Sequence, residues 1–161
     1  ATTRMLLEWL EELIRGGETV LDVGFGSGIL AMAALRLGAR SAVGVEIDPV
    51  AVDCARECAG QNAFGPELEL ICGTLSDVPG GMRPDLVVAN IDRQTLLLLA
   101  DELAAYGAAG SRLFFSGLLV EQVEEVMARY AGLGLYPVNR REQEGWVAIE
   151  LRRSESCEGN E

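Results

Sequence analysis

The sequence contains no histidine, and its four cysteines form no C-x-x-C pair. Cys54 and Cys58 are one helical turn apart, but without histidine or a second close pair they do not complete a zinc site, so we expect no metal. The absence of histidine also removes the most common general base of enzymes. We expect the cysteines, which include Cys72 and Cys157, to be reduced thiols of a cytoplasmic protein.

Long apolar runs are also absent. No stretch of 18 apolar residues and no basic leader segment occur, so the sequence predicts neither a membrane span nor a signal peptide. Positive charge is scarce, with 13 Lys and Arg against 25 Asp and Glu and a net charge of −12. Nucleic acid would be repelled, and a basic protein or peptide is the favoured partner. The 161 residues suffice for one core that buries about two thirds of the unfolded surface, and no oligomeric state is indicated.

The segment from Thr19 to Leu30 reads T-V-L-D-V-G-F-G-S-G-I-L. A branched apolar stretch ends at Val23, a glycine follows at every second position, and an apolar helical pattern then begins. Glycines can adopt positive φ and carry no Cβ, so a ligand can lie directly against backbone N–H groups at the start of the helix. The pattern predicts a strand, a glycine turn and a helix that together cradle a nucleotide.

Two acidic residues indicate which nucleotide this is. The dinucleotide fingerprint G-x-G-x-x-G/A requires glycine or alanine where this chain has Ile29. Asp22 precedes the first glycine by two residues, where it would repel a pyrophosphate and attract an ammonium group. Glu46 ends the next predicted strand, where a carboxylate can accept both hydroxyls of a ribose. The ligand therefore has a ribose and a cationic amino-acid tail but no diphosphate.

Helical and strand patterns alternate along the chain. Helices are predicted over 3–15, 29–37, 50–61, 94–105 and 120–131, and strands over 20–23, 41–46, 68–72, 85–90, 112–116, 134–140 and 145–152, with Gly117 closing the fifth strand. This order predicts an α/β fold, a Rossmann-like doubly wound, mostly parallel seven-stranded sheet with a C-terminal antiparallel hairpin. We expect residues 1–153 to form one domain and residues 154–161 to be a disordered polar tail. Trp9 and Trp146 are expected in the core.

The candidate functional residues all follow predicted strands. They are Asp22 to Gly28, Glu46, Gly73 to Leu75, Asn90 to Arg93, and the pair Ser116-Gly117. Ligands of doubly wound sheets bind at the carboxyl ends of the strands, so we expect these residues to meet at one edge.

Several motifs carry a family resemblance over residues 1–153. They are Thr2-Thr3, L-D-V-G-F-G-S-G-I-L-A-M-A-A at 21–34, V-G-V-E-I-D-P at 43–49, D-L-V-V-A-N-I at 85–91 and S-G-L-L-V-E-Q at 116–122. The chain resembles class I S-adenosylmethionine-dependent methyltransferases, and within them the bacterial ribosomal protein L-eleven methyltransferases. The resemblance implies methyl transfer from S-adenosylmethionine to an amine nitrogen, of a lysine or an N-terminal α-amine, in a protein substrate such as a ribosomal protein.

The same resemblance implies roles for individual residues. Asp22 and the turn formed by Gly24, Phe25, Gly26 and Gly28 would hold the methionine part of the cofactor. Glu46 would bind the ribose, and Ile47 would be a further contact. Gly73, Thr74 and Leu75 would contact the adenine edge. Thr2 and Thr3 would close over the cofactor. Asn90 would lie beside the methyl group as the catalytic residue, and its alternative role is to cap the following helix.

Three departures from the family pattern leave alternatives open. The family carries a substrate-recruiting domain before the catalytic one, and this sequence begins within the motif that follows the linker, so either that domain is missing here or recruitment differs. Asp92 stands where an apolar residue is usual, and it would at most recruit an ammonium group. The segment before Ser111 reads A-A-Y-G-A-A-G, where the family usually has Pro-Gly-Gly. The alternatives are a class I methyltransferase for a small molecule or another protein, an NAD-dependent oxidoreductase, and a non-catalytic nucleotide-binding module.

Overall fold

The computed structural model describes residues 1–154, in which helices and strands alternate along the chain. The helices are α1 (Thr2–Leu13), α2 (Ile29–Leu37), α3 (Pro49–Gln61), α4 (Arg93–Leu98), α5 (Ala100–Ala108) and α6 (Val123–Ala131). The strands are β1 (Thr19–Val23), β2 (Ser41–Glu46), β3 (Leu68–Cys72), β4 (Leu86–Asn90), β5 (Arg112–Leu119), β6 (Leu135–Gln143) and β7 (Trp146–Arg153). The predicted tail lies outside the described residues except for Ser154. Over residues 1–154, no helix combines the length and the apolar character needed to cross a bilayer.

The strands of residues 1–154 form a single seven-stranded sheet in the order β3-β2-β1-β4-β5-β7-β6. Strands β1 to β5 pair in parallel, and β7 pairs antiparallel with both β5 and β6. The predicted Rossmann-like sheet with its C-terminal hairpin is confirmed. The order reverses between β1 and β4, which is where open parallel sheets form a crevice at their carboxyl ends.

The core lies on both faces of the sheet because successive strand residues point to opposite sides. Phe114 faces α1, where its ring meets the Trp9 ring edge-on at 5.3 Å between centroids. Phe115 faces the opposite side and meets Tyr130 of α6 in the same manner at 4.9 Å. Phe25 lies in a third, smaller cluster with Met32 and with residues of α3. The first two clusters pack α4 and α6 against one face of the sheet and α1 against the other.

The predicted helix over 94–105 is wrong, because two helices meet there at Leu99 (φ −90°, ψ 7°). No glycine or proline marks the break. Leu96 before the break and Ala100 and Leu103 after it are all buried, whereas Leu98 is exposed. The helix propensity of the leucine run therefore does not decide where these two helices end.

Strand β5 does not end at Ser116 as predicted but continues to Leu119. Gly117 (φ +94°) lies where the pairing with β7 shifts register, and a Cβ there would come within 2.5 Å of the Ile91 carbonyl oxygen. This glycine thus marks an irregularity inside the strand rather than its end. In the C-terminal hairpin, β6 begins one residue later and ends three residues later than predicted, and β7 is shifted by one residue toward the C-terminus.

Helix α1 ends at Leu13, two residues before the predicted end, and the other corrections concern the last third of the chain. The helix predicted over 120–131 begins with a 3₁₀ turn, Val120–Gln122, before α6. Trp9 is buried as expected, but Trp146 is 37% exposed, so its placement in the core is wrong. Trp146 starts β7 directly after the turn at Glu144 and Gly145, at the end of the sheet rather than under a helix.

A buried hydrogen bond connects α6 to α4. The Tyr130 hydroxyl donates to the Leu96 carbonyl oxygen at 2.7 Å, and the side chain is fully buried. Tyr130→Phe leaves that carbonyl without this partner, so we expect the free energy of unfolding in urea to fall by about 1–3 kcal/mol. The control is Tyr136→Phe, at an exposed tyrosine, which should change it by less than about 0.5 kcal/mol. Equal losses in the two variants would contradict a structural role for this bond.

Candidate active site

A pocket of about 390 Å³ opens at the carboxyl ends of β1, β2, β3 and β4 and is bounded on one side by α4. Its volume is within the range of small-molecule sites. Its lining consists mainly of apolar groups with one carboxylate: Val23, Gly24, Val45, Glu46, Ile47, Gly73, Thr74, Leu75, Ile91, Thr95, Leu98 and Leu99. The structure therefore brings together the predicted residues Gly24, Glu46, Ile47, Gly73, Thr74 and Leu75.

The glycine turn connects β1 to α2. Gly24, Gly26 and Gly28 all have positive φ, at +69°, +53° and +79°. A Cβ at Gly24 would lie 2.6 Å from the Ile91 side chain, whereas a Cβ at Gly26 would meet no atom within 4 Å. The turn thus leaves open space directly above Gly26. The Phe25 side chain is buried in the cluster with Met32, and the contact of Phe25 with a cofactor stays a prediction.

The Glu46 carboxylate is held at the mouth of the turn by two backbone donors. Its Oε2 accepts from the Gly26 N–H at 3.1 Å and its Oε1 from the Asp48 N–H at 3.3 Å. A carboxylate has about four acceptor sites, so two remain for a ligand. The half-buried side chain lines the pocket, and its contact with a ribose stays a prediction.

The segment after β3 is shaped by a residue that the sequence analysis missed. Asp77 accepts from the Thr74 N–H at 2.8 Å, and a Cβ at Gly73 would collide with its carboxylate. Thr74 and Asp77 together form a capping box around the 3₁₀ turn Leu75–Asp77. The spacing T-x-x-D is a known signal of such a cap and could have identified Asp77.

The pocket also has an apolar wall, of which the sequence analysis named Ile47 but missed Leu98 on α4. Leu98 and Ile47 are 79% and 73% exposed, although both line the pocket. Large exposed apolar side chains around a concave site are typical of surfaces that a ligand covers. The run of four leucines at 96–99 exceeds what one buried helix face needs, and this was the available signal.

Asn90 lies at the end of β4 beneath the first turn of α1. Its Nδ2 donates to the Thr3 hydroxyl at 3.1 Å, and the neighbouring Ser116 hydroxyl donates to the Thr2 carbonyl oxygen at 3.3 Å. The two predicted threonines are therefore adjacent to the predicted catalytic residue. None of these three residues lines the pocket described above, and their contacts with a cofactor remain predictions.

The helix cap after β4 is Asp92, not Asn90. Its Oδ1 accepts from the Thr95 N–H at 2.8 Å and its Oδ2 from the Thr95 hydroxyl at 3.2 Å. The Thr95 N–H holds the pKa of the Asp92 carboxyl below its ordinary value. Asp92 thus has a structural duty at α4, and the alternative capping role for Asn90 is wrong.

Asp22 lies below the turn and is 1% exposed. Its Oδ2 accepts from the Ala31 N–H at 3.2 Å, in the first turn of α2. Burial raises the pKa of this carboxyl to about 7, the Ala31 N–H opposes the shift, and the Glu46 charge adds to it. The structure assigns Asp22 a backbone partner, and its contact with a cationic cofactor tail stays a prediction.

Comparisons with known proteins identify the family. The family model described as Ribosomal protein L11 methyltransferase (PrmA) matches residues 1–154. A ribosomal protein L11 methyltransferase from Symbiobacterium thermophilum is 45% identical over 149 residues, which cover 92% of this chain and 48% of that protein. One from Burkholderia thailandensis is 42% identical over 158 residues, which cover 96% of this chain and 50% of that protein.

A solved structure agrees with these relatives. The crystal structure of ribosomal protein L11 methylase from Lactobacillus delbrueckii subsp. bulgaricus superposes with a TM-score of 0.87 at 30% identity, covering 96% of this chain and 79% of that one. The chain spans about half the length of the curated relatives it matches. The family model, the sequence relatives and the superposed structure all indicate the same assignment: this chain belongs to the ribosomal protein L11 methyltransferase family.

Proposed function

We propose that this domain binds S-adenosylmethionine in the pocket at the ends of β1 to β4 and transfers the methyl group to amine nitrogens of ribosomal protein L11, on lysine side chains or the N-terminal α-amine. The observation that carries the proposal is the pocket itself. It combines one carboxylate at Glu46 with an apolar wall, and Gly24 of the glycine turn, which leaves open space above Gly26, forms part of its lining. Family membership supports the reaction and the substrate.

The residues present fit this cofactor better than a dinucleotide. Glu46 has free acceptor sites for ribose hydroxyls, and the wall of Ile47, Leu75 and Leu98 suits an apolar purine face. Ile29 stands at the position that the dinucleotide fingerprint reserves for glycine or alanine, and Asp22 and Glu46 would repel a pyrophosphate. S-adenosylmethionine supplies a methyl group on a positively charged sulfur. The acceptor of this methyl group must be an uncharged amine, because only that form has a free lone pair.

The role of Asn90 follows from that requirement. A lysine with a pKa near 10.4 loses its proton at neutral pH at a cost of about 4 kcal/mol. A carboxylate beside it would stabilise the ammonium form and raise the cost, whereas a neutral amide oxygen accepts an N–H from the uncharged amine. Asn90 is such an amide, and the nearby Asp92 carboxylate is already engaged with Thr95. Positioning the amine is therefore the main task of this site.

A second depression supports a macromolecular acceptor. It has a volume of about 300 Å³ and lies next to the end of β4, lined by Asp92, Arg93, Gln94, Gly117, Leu119, Gln122 and the half-exposed Trp146. Polar and aromatic groups can contact the chain on either side of a target amine. The net charge of −12 favours approach of a basic segment.

Two measurements test the proposal. Calorimetry should show binding of S-adenosylhomocysteine and none of NAD, and the reverse would overturn the cofactor assignment. Incubation with donor labelled in the methyl group and purified ribosomal protein L11 should then place label in L11. The chain contains no lysine, so label recovered as methyl-lysine after hydrolysis must come from the substrate. If the label enters only other proteins or small molecules of a cell extract, those molecules replace L11 as the acceptor.

The ribose contact can be tested by Glu46→Gln. This variant keeps the size of the side chain but loses the negative charge that strengthens hydrogen bonds. We expect the Kd of S-adenosylhomocysteine to rise about 10-fold, which corresponds to about 1.4 kcal/mol. The control is Glu69→Gln, at an exposed glutamate on β3, which should leave the Kd unchanged. An unchanged Kd in Glu46→Gln would remove Glu46 from the site.

A further inference from the structure

We propose that Thr3 is a positioning residue that acts through Asn90: its hydroxyl accepts an N–H from the Asn90 amide and so turns the amide oxygen toward the amine to be methylated. The inference rests on the proposed function and deepens it. It gives Thr3 a role distinct from the cofactor contact that the family resemblance implies.

The contact pattern of Asn90 supports this role. Its Nδ2 donates to the Thr3 hydroxyl at 3.1 Å, across 87 positions of the sequence. Within residues 1–154, Asn90 has no other side-chain hydrogen bond, so its Oδ1 has no protein partner in the described part of the chain. Since the amide is planar, directing Nδ2 at Thr3 turns Oδ1 away from α1.

The position of Thr3 is set by the packing of α1. Met5, Leu6, Trp9 and Leu10 bury one face of this helix against the sheet. The Ser116 hydroxyl donates to the Thr2 carbonyl oxygen at 3.3 Å and ties the first turn to β5. Thr3 is therefore presented by a rigid element, and little conformational entropy is lost when it orients Asn90.

The orientation matters because the two ends of the amide have opposite effects on an amine. The oxygen accepts an amine N–H and leaves the nitrogen lone pair free to attack the methyl carbon. The NH₂ end would instead donate to that lone pair and occupy it. Without the Thr3 hydroxyl, the amide can rotate between the two orientations, and a misplaced catalytic group costs up to about 100-fold in rate.

Thr3→Val tests the inference because valine keeps the shape of threonine but has no hydroxyl. We expect kcat for methyl transfer to L11 to fall about 10- to 100-fold, with the Kd of S-adenosylhomocysteine changed less than about twofold. Thr3→Ser retains the hydroxyl and should restore kcat to within about threefold of the wild type. Thermal unfolding of each variant checks that the fold is kept.

A double-mutant cycle asks whether Thr3 acts through Asn90. In the Asn90→Ala background, Thr3→Val should lower kcat by less than about twofold, because the group that it positions is gone. Nitrogen-labelled protein gives a readout independent of turnover. The chain has four asparagines and four glutamines, so the side-chain amide signal absent from Asn90→Ala spectra can be assigned. Its hydrogen exchange should accelerate in Thr3→Val and stay slow in Thr3→Ser.

The outcomes separate the two proposals. A wild-type protein that transfers no methyl group overturns the proposed function, and the positioning role with it. If the wild type is active and Thr3→Val is unimpaired, the positioning role alone is overturned. The same holds if the losses of kcat in Thr3→Val and Asn90→Ala multiply in the double variant. A weaker Kd for S-adenosylhomocysteine with unchanged kcat at saturating donor would make Thr3 a cofactor contact instead.

Discussion

Gly26→Ala should weaken binding of S-adenosylhomocysteine about 100-fold while leaving the protein folded. Residue 26 has a φ of +53°, and its Cβ would project into open space above the turn, where the methionine part of the cofactor is predicted to lie. An added methyl group in a filled site typically costs about 1–3 kcal/mol, and 100-fold in Kd corresponds to about 2.7 kcal/mol. Calorimetry measures the change in Kd directly.

The chain offers a matched control at Gly134, which precedes β6. Its φ is +84°, and a Cβ there would likewise meet no atom within 4 Å. Both substitutions introduce the same backbone strain of about 1–2 kcal/mol, so both should lower the free energy of unfolding by that amount. Only Gly26→Ala should affect the ligand. Comparable binding in the two variants would show that the space above Gly26 is not part of the cofactor site.

The parts of the fold that the sequence predicts well are those with strong local signals. The bounds of α2, β2 and β3 agree with the prediction because glycines, a capping aspartate or a clear apolar pattern mark their ends. The glycine turn leads into α2, and Glu46 ends β2, so both belong to elements that were predicted well. Their meeting at one pocket follows from the parallel sheet, because strand ends of the same polarity share an edge.

The parts that could not be predicted depend on contacts between distant residues. The break at Leu99 has no local signal, because no glycine or proline stands there and the leucine run favours one continuous helix. The contact between Thr3 and Asn90 joins residues 87 positions apart. Asp92 is a different case because its signal was local: it was interpreted by its charge, although an aspartate three residues before Thr95 at the start of a helix also fits a cap.

Asp22→Asn should stabilise the protein increasingly as the pH rises from about 4 to 7, with the full effect above pH 7. In the folded state, burial raises the pKa of Asp22 to about 7 from the ordinary value of 3.8. The folded protein thus retains this proton between about pH 4 and 7 while the unfolded chain has lost it. Over that range the contribution of Asp22 to stability falls as pH rises, by about 4 kcal/mol in total.

Asparagine removes the titration and keeps an oxygen that can accept the Ala31 N–H. The favourable interaction of a carboxylate with the start of α2 is worth about 0.3–1 kcal/mol, less than the cost of burying its charge. Subtracting the wild-type unfolding free energy from that of the variant isolates Asp22 from the other carboxyl groups. We expect this difference to be near zero at pH 4 and to reach up to about 4 kcal/mol at pH 8. A difference that stays constant with pH would contradict the raised pKa.

The same pair of proteins tests the predicted contact between Asp22 and the cationic cofactor tail. If the ammonium group binds the carboxylate, Asp22 must be ionised, so the affinity for S-adenosylhomocysteine should fall about 10-fold per pH unit below pH 7. Asp22→Asn should bind more weakly at pH 8 and lose this dependence. If Asp22 serves only α2 through Ala31, both proteins will show the same profile of Kd against pH. The slope of that profile therefore decides whether the buried acid serves the cofactor or the helix.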